Sequence, residues 1–216
     1  SIISSCKKEE VYYTKGVFPD STLSMPNINT EYDEIAEDFT VDENDLDGTA
    51  SLLISTNKNI SGGKYDIAQT KVSFSFGHKT GVFSIDGNTS SDSFLKKVLQ
   101  KANSDNDELG PFRLFSSIDG YEYFIYSSTN ANGNLDFYYL RNQPDFGTQL
   151  PEVYGPYPAQ LLNTSVDEDY ICFDLNMDTC YYSSGPVGNQ DIFVKSKSLL
   201  VDISTWLSGT YTTSSK

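Results

Sequence analysis

The sequence is poor in the residue types that most often carry catalysis and metal binding. It has one histidine, three cysteines, two methionines and one tryptophan in 216 residues. It contains no nucleophile elbow, phosphate-binding loop or zinc-spaced His/Cys group. His78 lies in a Gly-His-Lys-Thr-Gly segment typical of a hairpin tip, without an acidic residue nearby in sequence to orient it as a general base. These absences favour a protein without catalysis, although a Ser-His-Asp site assembled from distant segments stays open.

Positive charge is also scarce, since 15 Lys and Arg stand against 30 Asp and Glu, for a formal net charge of −15. Such a chain repels phosphate groups, so nucleic acid is not expected as a partner. No stretch approaches the roughly 18 consecutive apolar residues that a membrane-spanning helix needs. The hydrophobic fraction of 38% is still large enough to bury a core, and the length predicts about one domain.

Aromatic residues and turn formers are abundant. The chain has 15 tyrosines, 13 phenylalanines and 15 glycines, beside many Ser, Thr, Asn and Asp. Aromatic residues favour strands, and the small polar residues favour the turns between them. The composition therefore predicts an all-β fold.

A repeat is present at residues 50–67, 121–138 and 179–194. Each copy has an apolar or aromatic strand ending in Ser-Ser or Ser-Thr, a Gly/Asn turn, and an Asp that opens the next strand. An Asx-type turn and a further strand precede each copy. Related hexapeptides lead the first and third copies: Asn-Thr-Glu-Tyr-Asp-Glu at 29–34 and Asn-Thr-Ser-Val-Asp-Glu at 163–168. We predict that the recurring aspartates cap turns once per repeat rather than act in catalysis; they are Asp66, Asp136 and Asp191.

This pattern resembles the WD-like repeats of TolB-type β-propellers, and residues 169–194 follow it most closely. The resemblance covers residues 29–197 and implies radially arranged four-stranded sheets. It says little about the ligand, because propellers serve many functions. Three repeats and a fourth begun by residues 199–211 are too few for a ring of at least 4 blades. We therefore expect a partial propeller from a longer protein, or closure by the last segment in an unusual way.

Two insertions interrupt the repeats. Residues 91–103 place apolar side chains at helical spacing with lysines opposite, which predicts a short amphipathic helix. Before it, residues 72–86 predict a hairpin. Residues 144–158 are rich in Pro, Gly and Tyr and predict an ordered loop. Because loops on rigid scaffolds often carry function, Tyr154 and Tyr157 are candidate ligand-binding residues.

The first residues resemble a localisation signal. Ser-Ile-Ile-Ser-Ser before Cys6 resembles the end of a bacterial lipoprotein signal peptide, and Ser-Cys-Lys-Lys-Glu is similar to lipoprotein starts of Bacteroidota. The resemblance implies lipidation of Cys6, with residues 1–28 as signal remnant and tether and residues 29–216 as the propeller. It also implies anchoring at the outer membrane, on its periplasmic side or at the cell surface. An ordinary surface cysteine is the alternative.

The other two cysteines, Cys172 and Cys180, flank a predicted hairpin turn. Outside the cytosol they can form a disulfide, or both can remain reduced as small hydrophobic residues. The oxygen-rich segment 42–48 offers weak calcium ligands, and solvated turns are the preferred interpretation there. Its candidates are Asp42, Asn44, Asp45 and Asp47.

We therefore predict a lipid-anchored envelope β-propeller that binds an envelope protein or glycan, without a cofactor or catalysis, and touches the membrane only through its lipid. The alternative is a carbohydrate- or peptide-active hydrolase on the same scaffold, because the many carboxylates would allow acid catalysis. A calcium-stabilised β protein is a third interpretation.

Overall fold

The computed structural model describes residues 25, 28–40, 48–58, 63–88, 93–143 and 152–211, which form three antiparallel sheets and two helices. Sheet 1 contains β1 (Glu34–Thr40), β2 (Thr49–Thr56), β3 (Asp66–Gly77) and β4 (Val82–Asn88). Sheet 2 contains β5 (Glu108–Ser116), β6 (Tyr121–Thr129), β7 (Leu135–Asn142) and β8 (Val153–Pro158). Sheet 3 contains β9 (Asp167–Phe173), β10 (Thr179–Gly185) and β11 (Asp191–Ser196). Helix α1 (Ser93–Ala102) joins sheets 1 and 2, and α2 (Ile203–Leu207) follows β11. The all-β prediction is confirmed.

The three sheets share one register. Each is a meander in which consecutive strands are neighbours. The serine near the end of the second strand lies opposite the residue that follows the recurring aspartate of the third strand, and these pairs are Ser55 with Ile67, Ser127 with Phe137, and Ser183 with Ile192. The repeat identified in the sequence is therefore one structural unit formed three times.

A bulge also recurs in the first strand of every sheet, just after its glutamate. In β5 it contains Gly110, with φ of +57°, and in β9 it contains Tyr170, with φ of +48°. A Cβ at Gly110 would lie 2.7 Å from Asp169 Oδ1, so that position combines a left-handed backbone with close packing against sheet 3.

Two apolar cores join the sheets in series. We call the face of each sheet that points toward the next sheet in sequence its downstream face, and the other its upstream face. Between sheets 1 and 2, downstream residues of sheet 1 and upstream residues of sheet 2 pack with α1, and the cluster includes Leu53, Ile67, Leu95, Val98, Phe124 and Tyr126. Between sheets 2 and 3 the equivalent cluster packs with α2 and includes Ile125, Phe137, Cys180, Tyr182, Trp206 and Leu207.

Two predicted elements are confirmed, and two predictions are wrong. The hairpin within 72–86 is formed by β3 and β4, and the helix predicted at 91–103 is α1. Part of the segment predicted as a loop, 144–158, is instead strand β8, because Tyr157 pairs with Tyr139 of β7. The start of a fourth repeat predicted at 199–211 contains α2 instead, where Asp202 caps the helix by accepting a hydrogen bond from the Thr205 N–H at 2.8 Å. Among the described residues no sheet closes on itself.

Candidate functional site

A six-residue loop precedes the first strand of each sheet and makes the same internal hydrogen bonds. We call residues 29–34, 103–108 and 163–168 latch loops 1, 2 and 3. In each, the second residue donates its side-chain hydroxyl and its backbone N–H to the glutamate at the sixth position. The glutamates of loops 2 and 3, Glu108 and Glu168, are fully buried and also accept hydroxyls from Ser128 and Ser184 at 3.1 Å.

Latch loops 2 and 3 hold the sheet that precedes them. Asn103 Oδ1 accepts the Ile67 N–H at 2.9 Å, and Asn103 Nδ2 donates to the Ile67 carbonyl at 2.9 Å. Likewise, Asn163 Oδ1 accepts the Phe137 N–H at 2.9 Å, and Asn163 Nδ2 donates to the Phe137 carbonyl at 3.0 Å. The aspartates at the fifth position, Asp107 and Asp167, accept the N–H groups of Tyr65 and Leu135 at 2.9 and 3.0 Å. The asparagine and aspartate of each loop therefore make three hydrogen bonds at the start of the third strand of the sheet before it, and in loop 2 the Glu108 N–H adds a bond to the Tyr65 carbonyl at 2.9 Å.

Latch loop 1 has the same form but, in the described part of the chain, no preceding sheet to hold. Asn29 Oδ1 accepts the Met25 N–H at 2.8 Å. Asp33 Oδ2 accepts from Asn57 Nδ2 at 3.2 Å and from the Tyr65 hydroxyl at 3.1 Å. Asn29 and Asp33 are both exposed, whereas their equivalents in loops 2 and 3 are half-buried or buried.

The downstream face of sheet 3 is open. Tyr181, Ile192 and Val194 are 40%, 79% and 56% exposed. The residues at the same register positions in sheet 2 are Ile125, Phe137 and Tyr139, which are 0%, 0% and 5% exposed. The side chains are alike in character, so the contrast comes from the absence of a covering layer on sheet 3 within the described residues.

Further exposed side chains lie on this face or in the segments that adjoin its strands in sequence. Cys172 lies opposite Tyr181 in the β9–β10 pair and is exposed. In the described residues β11 pairs with β10 alone, whereas the third strands of sheets 1 and 2 also pair with a fourth. The β10–β11 loop exposes Val187, and the residues after β11 expose Leu199 and Leu200. Several exposed apolar side chains on one sheet face mark an interaction site more often than single exposed residues do.

A cleft of about 250 Å³ lies between the bulges of the first strands and is lined by Asp38, Gly110, Pro111, Phe112, Tyr170, Ile171 and Cys172. Asp169, next to it in β9, is 4% exposed, and burial raises the pKa of its carboxyl to about 6. Hydrogen bonds from the Tyr170 N–H at 2.8 Å and the Ser127 hydroxyl at 3.1 Å oppose that shift only in part. The cleft thus adjoins a carboxyl able to hold a proton near neutral pH.

The recurring aspartates open the third strands, where Asp66, Asp136 and Asp191 lie opposite Thr56, Ser128 and Ser184. Their role as turn caps stays a prediction. Asp136 Oδ1 is buried without a hydrogen-bond partner in the described structure. At the start of the third strands of sheets 1 and 2, Asp107 and Asp167 of the following latch loops accept the N–H groups of Tyr65 and Leu135.

The predicted ligand residues Tyr154 and Tyr157 lie on β8, each 39% exposed. Tyr157 packs on Tyr139 with ring centroids 5.5 Å apart, and Tyr154 lies opposite Arg141. The Arg141 guanidinium lies 4.8 Å from the centroid of the Tyr121 ring. Part of each tyrosine therefore stabilises sheet 2, and the remaining part is accessible to a ligand.

Of the two alternatives for Cys172 and Cys180, the structure has the reduced one, since both are free thiols. Cys172 lies opposite Tyr181, whereas Cys180 lies opposite Phe173, so their side chains point to opposite faces of the sheet. Burial raises the pKa of Cys180 to about 12.

Other predicted residues lie outside the described part of the chain, namely Cys6, Asp42, Asn44, Asp45 and Asp47. Within the described part, no group of three or more His, Cys, Asp or Glu residues is placed to hold a metal ion. The described helices are also too short to cross a membrane.

Sequence reasoning missed latch loop 2, Asn-Ser-Asp-Asn-Asp-Glu at 103–108. A signal was present, because loops 1 and 3 share its first, fifth and sixth residues and serine replaces threonine at the second. The open face of sheet 3 had no such signal. Ile192 and Ile67 both follow the recurring aspartate of the repeat, so the sequence around them does not show that one is exposed and the other buried.

Comparison with known proteins gave no further constraint: neither protein-family models, nor curated proteins, nor solved structures include a match to this chain.

Proposed function

We propose that this chain is a lipid-anchored cell-envelope protein of the TolB-like β-propeller type that acts as a binding module without catalysis. Its binding surface is the downstream face of sheet 3. Three equivalent sheets in series, joined by repeated latch loops, support a propeller-like arrangement. The TolB-like repeat and the lipoprotein-like start at Cys6 are supported by the sequence resemblance alone.

The observation that carries the binding role is the exposure of Ile192 and Val194, at positions where sheet 2 buries Phe137 and Tyr139. Burying one such aliphatic side chain contributes about 1.5–3 kcal/mol, so a partner that covered both would gain substantially. A protein partner fits this surface better than a glycan, because the exposed side chains are mainly aliphatic.

Crosslinking from Cys172 tests this role. Purified Cys6→Ser protein carries a benzophenone maleimide on Cys172, and Cys180 stays unmodified because it is fully buried. After mixing with envelope extract and illumination, we expect a crosslinked protein that disappears with Ile192→Asp. Leu175→Asp, at the exposed β9–β10 turn, is the matched control and should keep it. An unchanged product in Ile192→Asp would refute the proposed surface.

The envelope address is tested separately, by labelled palmitate incorporation in cells expressing the wild type or Cys6→Ala. We expect label only in the wild type. Equal labelling of both would refute the anchor and leave the binding surface untouched.

A hydrolase is the second candidate, favoured by the raised pKa of Asp169 beside the cleft. A carboxylic acid that is partly protonated near neutral pH is suited to general-acid catalysis. Asp169→Asn should then abolish release of products from soluble envelope glycans and peptides. Absence of turnover by the wild type on those substrates would remove this candidate.

A further inference from the structure

We infer that the partner of the open face is latch loop 1 of a second copy of this chain, so that copies associate head to tail. The inference rests on the proposed binding role of that face. The contact would be a third junction of the kind that the chain already makes twice, between sheets 1 and 2 and between sheets 2 and 3.

The receiving half of the junction is complete on sheet 3. In the two internal junctions, a latch loop holds the peptide of Ile67 or Phe137 and the N–H of the residue two positions earlier. The equivalent groups on β11 are the peptide of Ile192 and the N–H of Gln190, in the same register against Ser183. Gln190 and Ile192 are both exposed.

The loop half of the junction is complete at latch loop 1. Latch loop 1 already has the hydrogen bonds from Thr30 to Glu34 that shape loops 2 and 3. Asn29 and Asp33, which would bind the Ile192 peptide and the Gln190 N–H, are exposed. Asn29 now accepts the neighbouring Met25 N–H, and Asp33 accepts from Asn57 and the Tyr65 hydroxyl beside sheet 1, so docking would exchange one set of hydrogen bonds for another.

Apolar residues beside the loops match as well. The residue before each latch asparagine is buried, and these residues are Ile28, Ala102 and Leu162. Met25 precedes Asn29 by four positions, as Leu99 and Ala159 precede their asparagines. Both of those residues pack in the internal junctions. Met25 is only half-buried and packs on the cluster of Ile28, so it is placed to meet Ile192 of another copy.

Pairing of latch loop 1 of one copy with the downstream face of sheet 3 of another is favoured over a back-to-back contact between two such faces. Back-to-back contact would cover Ile192 but leave the Gln190 and Ile192 peptides without the asparagine and aspartate that the internal junctions use. A head-to-tail contact is heterologous, so it closes into a ring if the rotations sum to a full turn and otherwise extends as a chain.

Two complementary variants of the full chain, in a Cys6→Ser background, test this contact by light scattering after gel filtration. The loop variant is Asn29→Ala with Asp33→Ala, and the face variant is Ile192→Asp. We expect the wild type to exceed the monomer mass with increasing concentration and each variant alone to be a monomer. An equimolar mixture should give a two-copy complex, because one intact junction remains. The matched controls, Glu31→Ala for the loop and Leu175→Asp for sheet 3, should associate like the wild type, since both residues are exposed and outside the contact.

Three results would overturn the inference: a wild type that stays monomeric at every soluble concentration, a loop variant that associates like the wild type, or a variant mixture that stays monomeric. Circular dichroism of each variant confirms that the exposed substitutions leave the fold intact. If the wild type is monomeric but the Cys172 crosslink to an envelope protein still depends on Ile192, self-association fails and the binding role stands.

Discussion

Sheets 2 and 3 have the same register and the same kind of inward-facing side chains, yet they differ in what covers them. Sheet 2 is packed on both faces, by sheet 1 with α1 and by sheet 3 with α2. Sheet 3 is packed on its upstream face, where Cys180 and Tyr182 are 0% and 6% exposed. Its downstream face lies open. Position within the series, rather than residue type, therefore decides whether a given repeat residue stabilises the fold or is available for binding.

Between sheets 2 and 3, the largest difference in the free energy of unfolding is expected when the equivalent residues Phe137 and Ile192 are truncated to alanine. Phe137→Ala should lower the free energy of unfolding by about 3–5 kcal/mol, since it empties a site in the core between sheets 2 and 3. Ile192→Ala should change it by less than about 0.5 kcal/mol in the monomer. Urea unfolding at low protein concentration measures both. Equal losses would show that sheet 3 is covered on both faces.

The second prediction concerns Asp169, which lies in the closed junction between sheets 2 and 3. Because its pKa is raised to about 6 in the folded protein, its contribution to stability is complete below its unfolded pKa and is lost as pH rises through about 6. The wild type should therefore gain about 2 kcal/mol relative to Asp169→Asn between pH 7 and pH 4. Thermal unfolding of the two proteins across that range measures the gain, and parallel profiles would contradict it.

The smallest difference in the free energy of unfolding is expected between variants of the latch asparagines Asn163 and Asn29. Asn163→Ala leaves the Phe137 N–H without its partner, while the Phe137 carbonyl keeps its hydrogen bond from the Ala159 N–H, and the substitution should cost about 1.5 kcal/mol. Asn29→Ala removes an exposed hydrogen bond, the one that Asn29 Oδ1 accepts from the Met25 N–H, and should cost less than about 0.5 kcal/mol in the monomer. Hydrogen exchange of the Phe137 amide provides a local readout. An exchange rate unchanged by Asn163→Ala would mean that the latch does not hold the strand.

Much of the fold was predictable because local signals agree with tertiary structure. The Ser-Ser strand ends, the Asp-opened third strands and helix α1 each carry a periodicity or turn signal that a single segment can show. Strand β8 and helix α2 were predicted wrongly. The first pairs with β7 despite its Pro and Gly content, and the second depends on burial of Trp206 and Leu207 in a core built by sheets 2 and 3.

The candidate site was less predictable for a physical reason. Cys172, Tyr181 and Ile192 have no unusual neighbours in sequence, and their exposure follows from what lies on one face of sheet 3. The cysteine pair illustrates the same limit. Its spacing allows a bridge across a hairpin, but the pairing of β9 with β10 places the two side chains on opposite faces.

The most direct measurement is the rate at which a maleimide alkylates Cys172, compared between dilute purified chain and the chain in its native envelope. If the downstream face of sheet 3 binds a partner, Cys172 should react readily in the purified chain and at least tenfold more slowly in the envelope, with Ile192→Asp restoring the fast rate. Equal rates in the two settings would contradict the claim that this face is a binding surface.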